Sequence, residues 1–481
     1  MEMTVAVSRS CSPKADREAL HKKFRSKLVT NPHLDRTLVS FQANRKLPFY
    51  RWLKYKEGFS AKFVEYAIRE LATSPGVLLD PFAGTGAALF AARRMGWDTI
   101  GIELLPMGFF AVEARLAAER VNPKNLEAEL ERIQGLKWTD YFDPEFRLAH
   151  VPITEGAFST KTERSIAGYR AYCDQIKNGH LRKLFTLACL SILESVSYTR
   201  KDGQYLRWDH RAKKKRTTSD FNKGHIPDFD SAIRDKLWQM LQDLSGKNIT
   251  QPELFESKVE KRRMGALDLR RGSCLEILPG IDQGSADMVI TSPPYCNRYD
   301  YTRTYALELV YLGNNADQLK ALRQNMLSCT VENKTKVEQL GRLYKHWGRD
   351  RIFNKIVHVF EQQKALKEVL GILGELQAAG RLNNANIPNM VKNYFIEMAF
   401  VVYELVRVLR RGGRIVIVND NVRYAGEEIP VDLILSDFAE SFGMRTKYIW
   451  TLAKGKGNSS QQMGAHGRSE LRKCVYVWEK A

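Results

Sequence analysis

GVLLDPFAGTG, residues 76–86, decides the fold. An apolar run ends in an acid, Asp80, and turns at once through a glycine-rich stretch. Short apolar runs bounded by turn residues read as buried strands. Glycines at 84 and 86 open backbone conformations closed to other residues and let a ligand approach the main chain. ALFAARRMG (88–96) then reads as a helix stopped by Gly96, and DTIGIE (98–103) as a second strand. Strand, glycine turn, helix and strand make a βαβ opening, which predicts an α/β fold with a mostly parallel sheet. Just upstream, SAKFVEYAIRELA (60–72) places Phe63, Ala67, Ile68 and Leu71 on one helical face.

The same sheet pattern resumes twice. LDLRRGSCLEIL (267–278) and ADMVITSPPY (286–295) each begin as strands, and FIEMAFVVYELVRVLRRGGRIVIVND (395–420) reads as a helix, a Gly-Gly turn and a strand. TKYIWTLA (446–453) and KCVYVWEK (473–480) add further strand signals. Between them lie two largely helical insertions. The predicted organisation is a basic N-terminal segment (1–59), core pieces at 60–104, 263–313 and 390–481, and insertions at 105–262 and 314–389.

Lys and Arg number 75 against 55 Asp and Glu, a net charge of +20, so a phosphate-rich partner is expected. Charge alone does not choose DNA over RNA. No apolar run is long enough for a membrane span, and MEMTVAVSRS lacks the features of a signal peptide. The seven cysteines form no CxxC pair, which fits a reducing cytoplasm and predicts no metal site. One stretch of the first insertion, YTRKDGQYLRWDHRAKKKR (198–216), interleaves basic and aromatic residues. Arg200, Lys201, Tyr205, Arg207, Trp208, Arg211, Lys213, Lys214, Lys215 and Arg216 are therefore the candidate nucleic-acid contacts.

Glu103 ends the second strand, 19 residues after Gly84, where a carboxylate can accept both hydroxyls of a ribose. The third position of a GxGxxG dinucleotide fingerprint is Leu89 here, so an adenosine-bearing cofactor without a pyrophosphate is the better fit. The strand ending in Thr291-Ser292-Pro293-Pro294-Tyr295 is cut off by two prolines, leaving a rigid shelf at its carboxyl end. A planar exocyclic amine has two N–H donors. The Ser292 hydroxyl and the Pro293 carbonyl can accept them, Pro294 fixes the chain, and Tyr295 can stack on the base. Cys296 reads as a small buried residue rather than a nucleophile, and Tyr299, Asp300, Tyr301 and Arg303 follow closely enough to line the same cleft.

DPFAGTG with Glu103, followed by TSPPY, resembles the S-adenosylmethionine-dependent amino-methyltransferases, most closely the N4-cytosine DNA methyltransferases of restriction–modification systems. The resemblance covers roughly half the chain, and neither insertion is part of it. It implies a Rossmann-like methyltransferase sheet, S-adenosylmethionine as cofactor, and a flipped-out cytosine in double-stranded DNA as the methyl acceptor. Asp80, Pro81, Phe82, Ala83, Gly84, Gly86 and Glu103 would hold the cofactor. Ser273 at another strand end, and Lys62 and Phe63 in the helix at 60–68, would assist. Ser292, Pro293, Pro294 and Tyr295 would be catalytic. The order of the motifs implies a target-recognition region between them, favouring 105–262 over 314–389. A cognate restriction endonuclease is the implied functional partner, with the enzyme acting in a prokaryotic cytoplasm. Adenine N6 methylation, base methylation of RNA, and a non-catalytic DNA-recognition subunit remain as alternatives at this stage.

Overall fold

The computed structural model describes residues 15–72, 74–202, 205–212, 221–246, 264–452 and 471–481. In chain order the strands are β1 (Leu28–Thr30), β2 (Val77–Asp80), β3 (Asp98–Glu103), β4 (Thr199–Asp202), β5 (Tyr205–Trp208) and β6 (Leu267–Arg271). They continue with β7 (Ala286–Thr291), β8 (Leu409–Asp420), β9 (Val422–Tyr424), β10 (Glu427–Ile429), β11 (Met444–Thr451) and β12 (Lys473–Lys480). Among the described residues, eight of these form one sheet in the order β1-β11-β12-β8-β7-β2-β3-β6. Every neighbouring pair is parallel except those of β12, which runs antiparallel to both β11 and β8. The protein is thus a doubly wound α/β fold of the Rossmann-like methyltransferase type.

The winding fixes where a ligand can sit. From β2 the chain steps outward to β3 and β6, then returns to the other side of β2 as β7 and continues outward to β8. Strand order therefore reverses between β2 and β7, and the crevice at their carboxyl ends is the place where such sheets bind ligands. Both sequence motifs lie there, Asp80 at the end of β2 and Thr291 at the end of β7.

Side-chain alternation explains the layers. Met288 and Ile290 of β7, with Val416 and Val418 of β8, face a core shared with the helices Ala61–Leu71 and Ala87–Arg94. Val289, Ile415 and Ile417 face the opposite side, under the helices Ile387–Val408 and Val431–Ser441. The period of two makes each strand apolar on both faces, as a sheet covered by helices on both sides requires. Ser60 caps the first of these helices, its hydroxyl accepting from the Phe63 N–H at 3.1 Å.

Several expectations change in detail. The Gly-Gly of 412–413 lies inside β8 rather than in a turn before it. Pairing with β7 slips from Ala286↔Leu409 to Met288↔Arg414, so the extra residues bulge out, and Gly412 takes φ +74°. The described part of the N-terminal segment is folded into the body. Leu28–Thr30 extends the sheet edge, and Phe41, Tyr50, Trp52 and Tyr55 are buried. The helices of 314–389 pack on the sheet's own core through Leu340, Tyr344, Ile356, Leu366 and Leu373. The first insertion forms its own core, in which Tyr169, Phe185, Leu190, Phe229 and Leu237 join Tyr305 and Leu309. It also carries a β4–β5 hairpin where only helices and loops were expected. Among the described residues, no helix is long and apolar enough to cross a membrane.

Candidate active site

The two strand ends are tied together directly. Thr291 Oγ1 donates to Asp80 Oδ1 at 2.6 Å, and the Phe82 N–H donates to the same oxygen at 3.1 Å. Asp80 is 2% exposed, and burial pushes its carboxyl up to about 7 against the pull of those two hydrogen bonds. It organises the loop from beneath, while Pro81 and Phe82 form part of the cleft wall.

Glu103 is held with equal firmness. Its Oε2 accepts from the Gly84 N–H and its Oε1 from the Leu105 N–H, both at 2.6 Å. Burial again raises the carboxyl to about 7, the two N–H groups working against the shift and Asp80 adding to it. The glycine loop is built for close approach. Gly84 has φ +54°, and a Cβ there would stand 2.9 Å from the Tyr55 ring. Gly108, in the helix Pro106–Ala118, allows no Cβ either: it would lie 2.8 Å from the Gly84 carbonyl oxygen and 3.1 Å from the Glu103 carboxyl carbon.

Beside them lies a cleft walled by residues of both strand ends. Glu103, Ser273, Ser292 and Pro294 all line it, so the candidate cofactor and catalytic motifs share one space. Ser273 lies at the N-terminus of the short helix Cys274–Ile277. Phe82, Ile102, Leu104, Leu105, Met326 and Leu327 give the cleft apolar lining beside the Glu103 carboxylate. An apolar slot next to a fixed carboxylate suits the purine and ribose diol of S-adenosylmethionine.

At the catalytic shelf, Ser292 Oγ donates to the Val418 carbonyl oxygen at 3.0 Å, with the Tyr295 hydroxyl 3.4 Å away. Its hydrogen is directed to β8, which leaves its lone pairs to accept from a substrate. Burial, reinforced by the Asp420 carboxylate, raises the Tyr295 phenol far above neutrality, so it stays protonated. Lys473 Nζ lies 6.0 Å from the Tyr295 ring centre and 3.6 Å from Asp420. The loop beyond is pinned by the Tyr424 hydroxyl donating to the Cys296 carbonyl at 2.6 Å, and Arg298 takes φ +66°. Cys296 is fully buried and its thiol is pushed up by that burial, which removes it as a nucleophile.

Other sequence-derived candidates are placed differently. Phe63 is buried in the core against Phe59, and Lys62 is exposed; neither lines the cleft. The segment just before that helix contributes Tyr55 and Glu57 to the cleft, and Asn325–Leu327 lines it too. Tyr301 lines the cleft, Tyr299 packs edge-on to it at 4.8 Å, and Asp300 caps the helix Tyr301–Thr304 while binding Arg323 at 2.8 Å.

The basic hairpin divides. Arg200 is exposed; Arg207 stands over the Phe221 ring at 4.4 Å, with Asp202 3.5 Å away. Lys201, however, is buried against Glu308 with its ammonium 4.4 Å from the Tyr305 ring, and Trp208 is buried in the insertion core. Arg211 is held by both oxygens of Asp209, at 2.6 and 3.0 Å, and by the Gly224 carbonyl. As phosphate contacts Lys201 and Trp208 are corrected, because burial withdraws them from any partner, whereas the Arg211 side chain stays 39% exposed beside Asp209. Tyr205 lies in β5, and Lys213–Arg216 fall outside the described residues.

A mostly parallel sheet whose strand order reverses, with Pro81, Phe82, Glu103, Ser292 and Pro294 gathered on one cleft, has the layout of a methyltransferase. Comparison with known proteins sharpens that class. The chain is 44% identical over 465 residues, 96% of its length and 93% of the relative's, to the type II methyltransferase M.AvaI of Nostoc sp. and of Anabaena variabilis. It is 39% identical over 484 residues, 98% of its length and 93% of the relative's, to the type II methyltransferase M.BsoBI of Geobacillus stearothermophilus. The chain belongs to the type II methyltransferases of restriction–modification systems. No family model matches it, and no solved structure does.

Proposed function

We propose that the protein transfers a methyl group from S-adenosylmethionine to the N4 amine of a cytosine flipped out of double-stranded DNA. The observation that carries this reading is Ser292, its hydrogen given to Val418 and its acceptor side on the same cleft as Glu103 and Ser273. S-adenosylmethionine, when bound, supplies an electrophilic methyl group on a sulfonium. Glu103 would accept the ribose hydroxyls, and the slot by Leu104, Leu105 and Ser273 would take the adenine. Ser292 Oγ and the Pro293 carbonyl would accept the two amine hydrogens, which turns the nitrogen lone pair toward the methyl group. Tyr295, kept neutral, would stack on the base and offset part of the few kcal/mol that flipping costs. A serine before the two prolines favours cytosine over adenine by family resemblance alone, since either base presents an exocyclic amine. A nuclease of the same specificity would be the functional partner, acting on the same DNA in the bacterial cytoplasm.

The test is methyl transfer from labelled cofactor to unmethylated DNA, followed by digestion to nucleosides and identification by mass. N4-methylcytosine is expected. N6-methyladenine would overturn the base assignment but keep the mechanism, and transfer to RNA in place of DNA would overturn the substrate.

The exposed edge of the β4–β5 hairpin is the proposed contact to the DNA backbone. Arg200→Ala with Arg207→Ala should weaken binding to all DNA sequences alike and reduce the slope of log K against log salt by about 0.9 for each lost phosphate contact. Salt titration of binding by fluorescence anisotropy measures this. An unchanged slope would move the interface elsewhere.

A further inference from the structure

Methylating an exocyclic amine leaves the nitrogen with a surplus proton, and a group in the cleft has to take it. Ser292 and the Pro293 carbonyl can accept a hydrogen bond but cannot hold a proton near neutral pH. The Tyr55 and Tyr301 phenols, which also line the cleft, are raised by burial and already protonated. Both Glu103 oxygens accept backbone N–H groups, and Asp80 lies beneath the loop rather than on the cleft wall. One carboxyl on the wall is left without a part in the reaction, that of Glu57.

We propose that Glu57 is the acceptor of the proton lost by the target amine, an assignment that rests on the amino-methyltransferase reading above. Glu57 shares the cleft with Ser292 and Pro294. Its Oε2 accepts from the Tyr305 hydroxyl at 2.6 Å, and the Tyr299 phenol also bears on the carboxylate, so its orientation is fixed. Tyr305 is itself braced on three sides. It stacks on Tyr55 at 5.3 Å, its oxygen accepts from the Lys56 N–H at 3.2 Å, and the Lys201 ammonium stands 4.4 Å from its ring. That ammonium is anchored by Glu308, so the basic hairpin holds the cleft carboxylate in place through Tyr305. Burial raises the Glu57 carboxyl above the ordinary range, in the direction a general base at neutral pH needs. The groups that face it are the phenols of Tyr55, Tyr295, Tyr299, Tyr301 and Tyr305 and the ammonium groups of Lys56 and Lys201, which pull the other way. The step balances. The N–CH3 bond forms with the nitrogen lone pair as the S–CH3 bond breaks with its electron pair left on sulfur, and the nitrogen's extra proton passes to the Glu57 carboxylate and then to water.

Glu57→Gln keeps the shape and an acceptor for Tyr305 but cannot take the proton. Three quantities would be compared with the unaltered protein. They are the single-turnover rate on DNA from pH 5.5 to 8.5, the calorimetric affinity for S-adenosylmethionine and its demethylated product, and the affinity for DNA. The expected result is a rate loss of about 10²–10⁴-fold, loss of the acidic limb of the pH profile, and all three affinities within threefold. Glu57→Asp should recover part of the rate with a displaced acidic limb, which covers the case in which the glutamine variant folds poorly. A rate within threefold of the unaltered protein would overturn the proposal. So would a matching fall in cofactor affinity, which would make Glu57 a cofactor ligand. If the unaltered protein methylated no base amine, the functional reading would fail first, and the affinities would still be measurable.

Discussion

Ser292→Ala should lower the rate of methyl transfer by about 10²–10³-fold while leaving the affinity for S-adenosylmethionine unchanged. The magnitude is what loss of one preorganised hydrogen-bonding group aimed at developing charge costs in an enclosed site. Ser292 is placed for that role by two independent constraints. β7 stops at Thr291, whose hydroxyl is bonded to Asp80, so the next residue leaves the sheet at a fixed point. The Ser292 hydroxyl is then oriented by the Val418 carbonyl of the neighbouring strand. The substitution leaves that carbonyl without its donor, a stability loss of about 1 kcal/mol that does not approach the expected loss of rate. Single-turnover transfer of labelled methyl, read beside calorimetric cofactor binding, separates the two effects. A rate within threefold would remove Ser292 from the catalytic set. Tyr295→Ala should act more on the DNA step, because stacking on a base is worth about 1–3 kcal/mol.

How far the site could be read from the sequence follows from which residues act through short-range pattern. Asp80, Gly84, Glu103 and Ser292 sit at strand ends, and a strand with its terminal acid, glycine or proline is a local signal. Their convergence follows from the sheet order, since parallel strands all deliver their carboxyl ends to one edge. Tyr55, Glu57 and Asn325–Leu327 reach the same cleft from segments without such a signature, and tertiary packing alone brings them there. Of the tyrosines around Glu57, Tyr55 and Tyr305 carry no signal in the sequence, because an aromatic reads the same whether it packs or orients a carboxylate. Lys201 and Trp208 misled for the opposite reason. The basic and aromatic pattern of 198–216 is real, but the alternation of a strand turns Lys201 inward toward Glu308 while Arg200 points out. A charge run shows how many cations a segment carries and cannot show which of them meet a buried partner. The bulge in β8 was hidden similarly, because a Gly-Gly pair signals a turn and a bulge equally well.

Cofactor affinity should rise steeply with pH between about 6 and 8, and Glu103→Gln should flatten that rise while weakening binding by roughly 10–100-fold, the worth of charge-assisted hydrogen bonds. In the free protein, burial holds both Glu103 and Asp80 near 7 rather than near the ordinary carboxylate value of 4.5 or 3.8. On the proposed assignment ribose hydroxyls would donate to the ionised form of Glu103, so below about pH 7 binding would have to expel a proton and would lose up to tenfold per pH unit. The sign is opposite for the stability of the free protein. A carboxyl raised on folding binds its proton more tightly in the native state. Its contribution is fully present below the unfolded value, near 4, and is lost as pH rises through about 7. Thermal melts from pH 5.5 to 8 should therefore show these carboxyls destabilising the free protein as pH rises, while the increment in Tm given by S-adenosylmethionine grows over the same range. Calorimetry in two buffers of different ionisation enthalpy would count the released protons directly. A proton release near zero at pH 6.5 would mean that Glu103 is already ionised in the free protein, and the ribose assignment would then have to stand on the loss of affinity in Glu103→Gln alone.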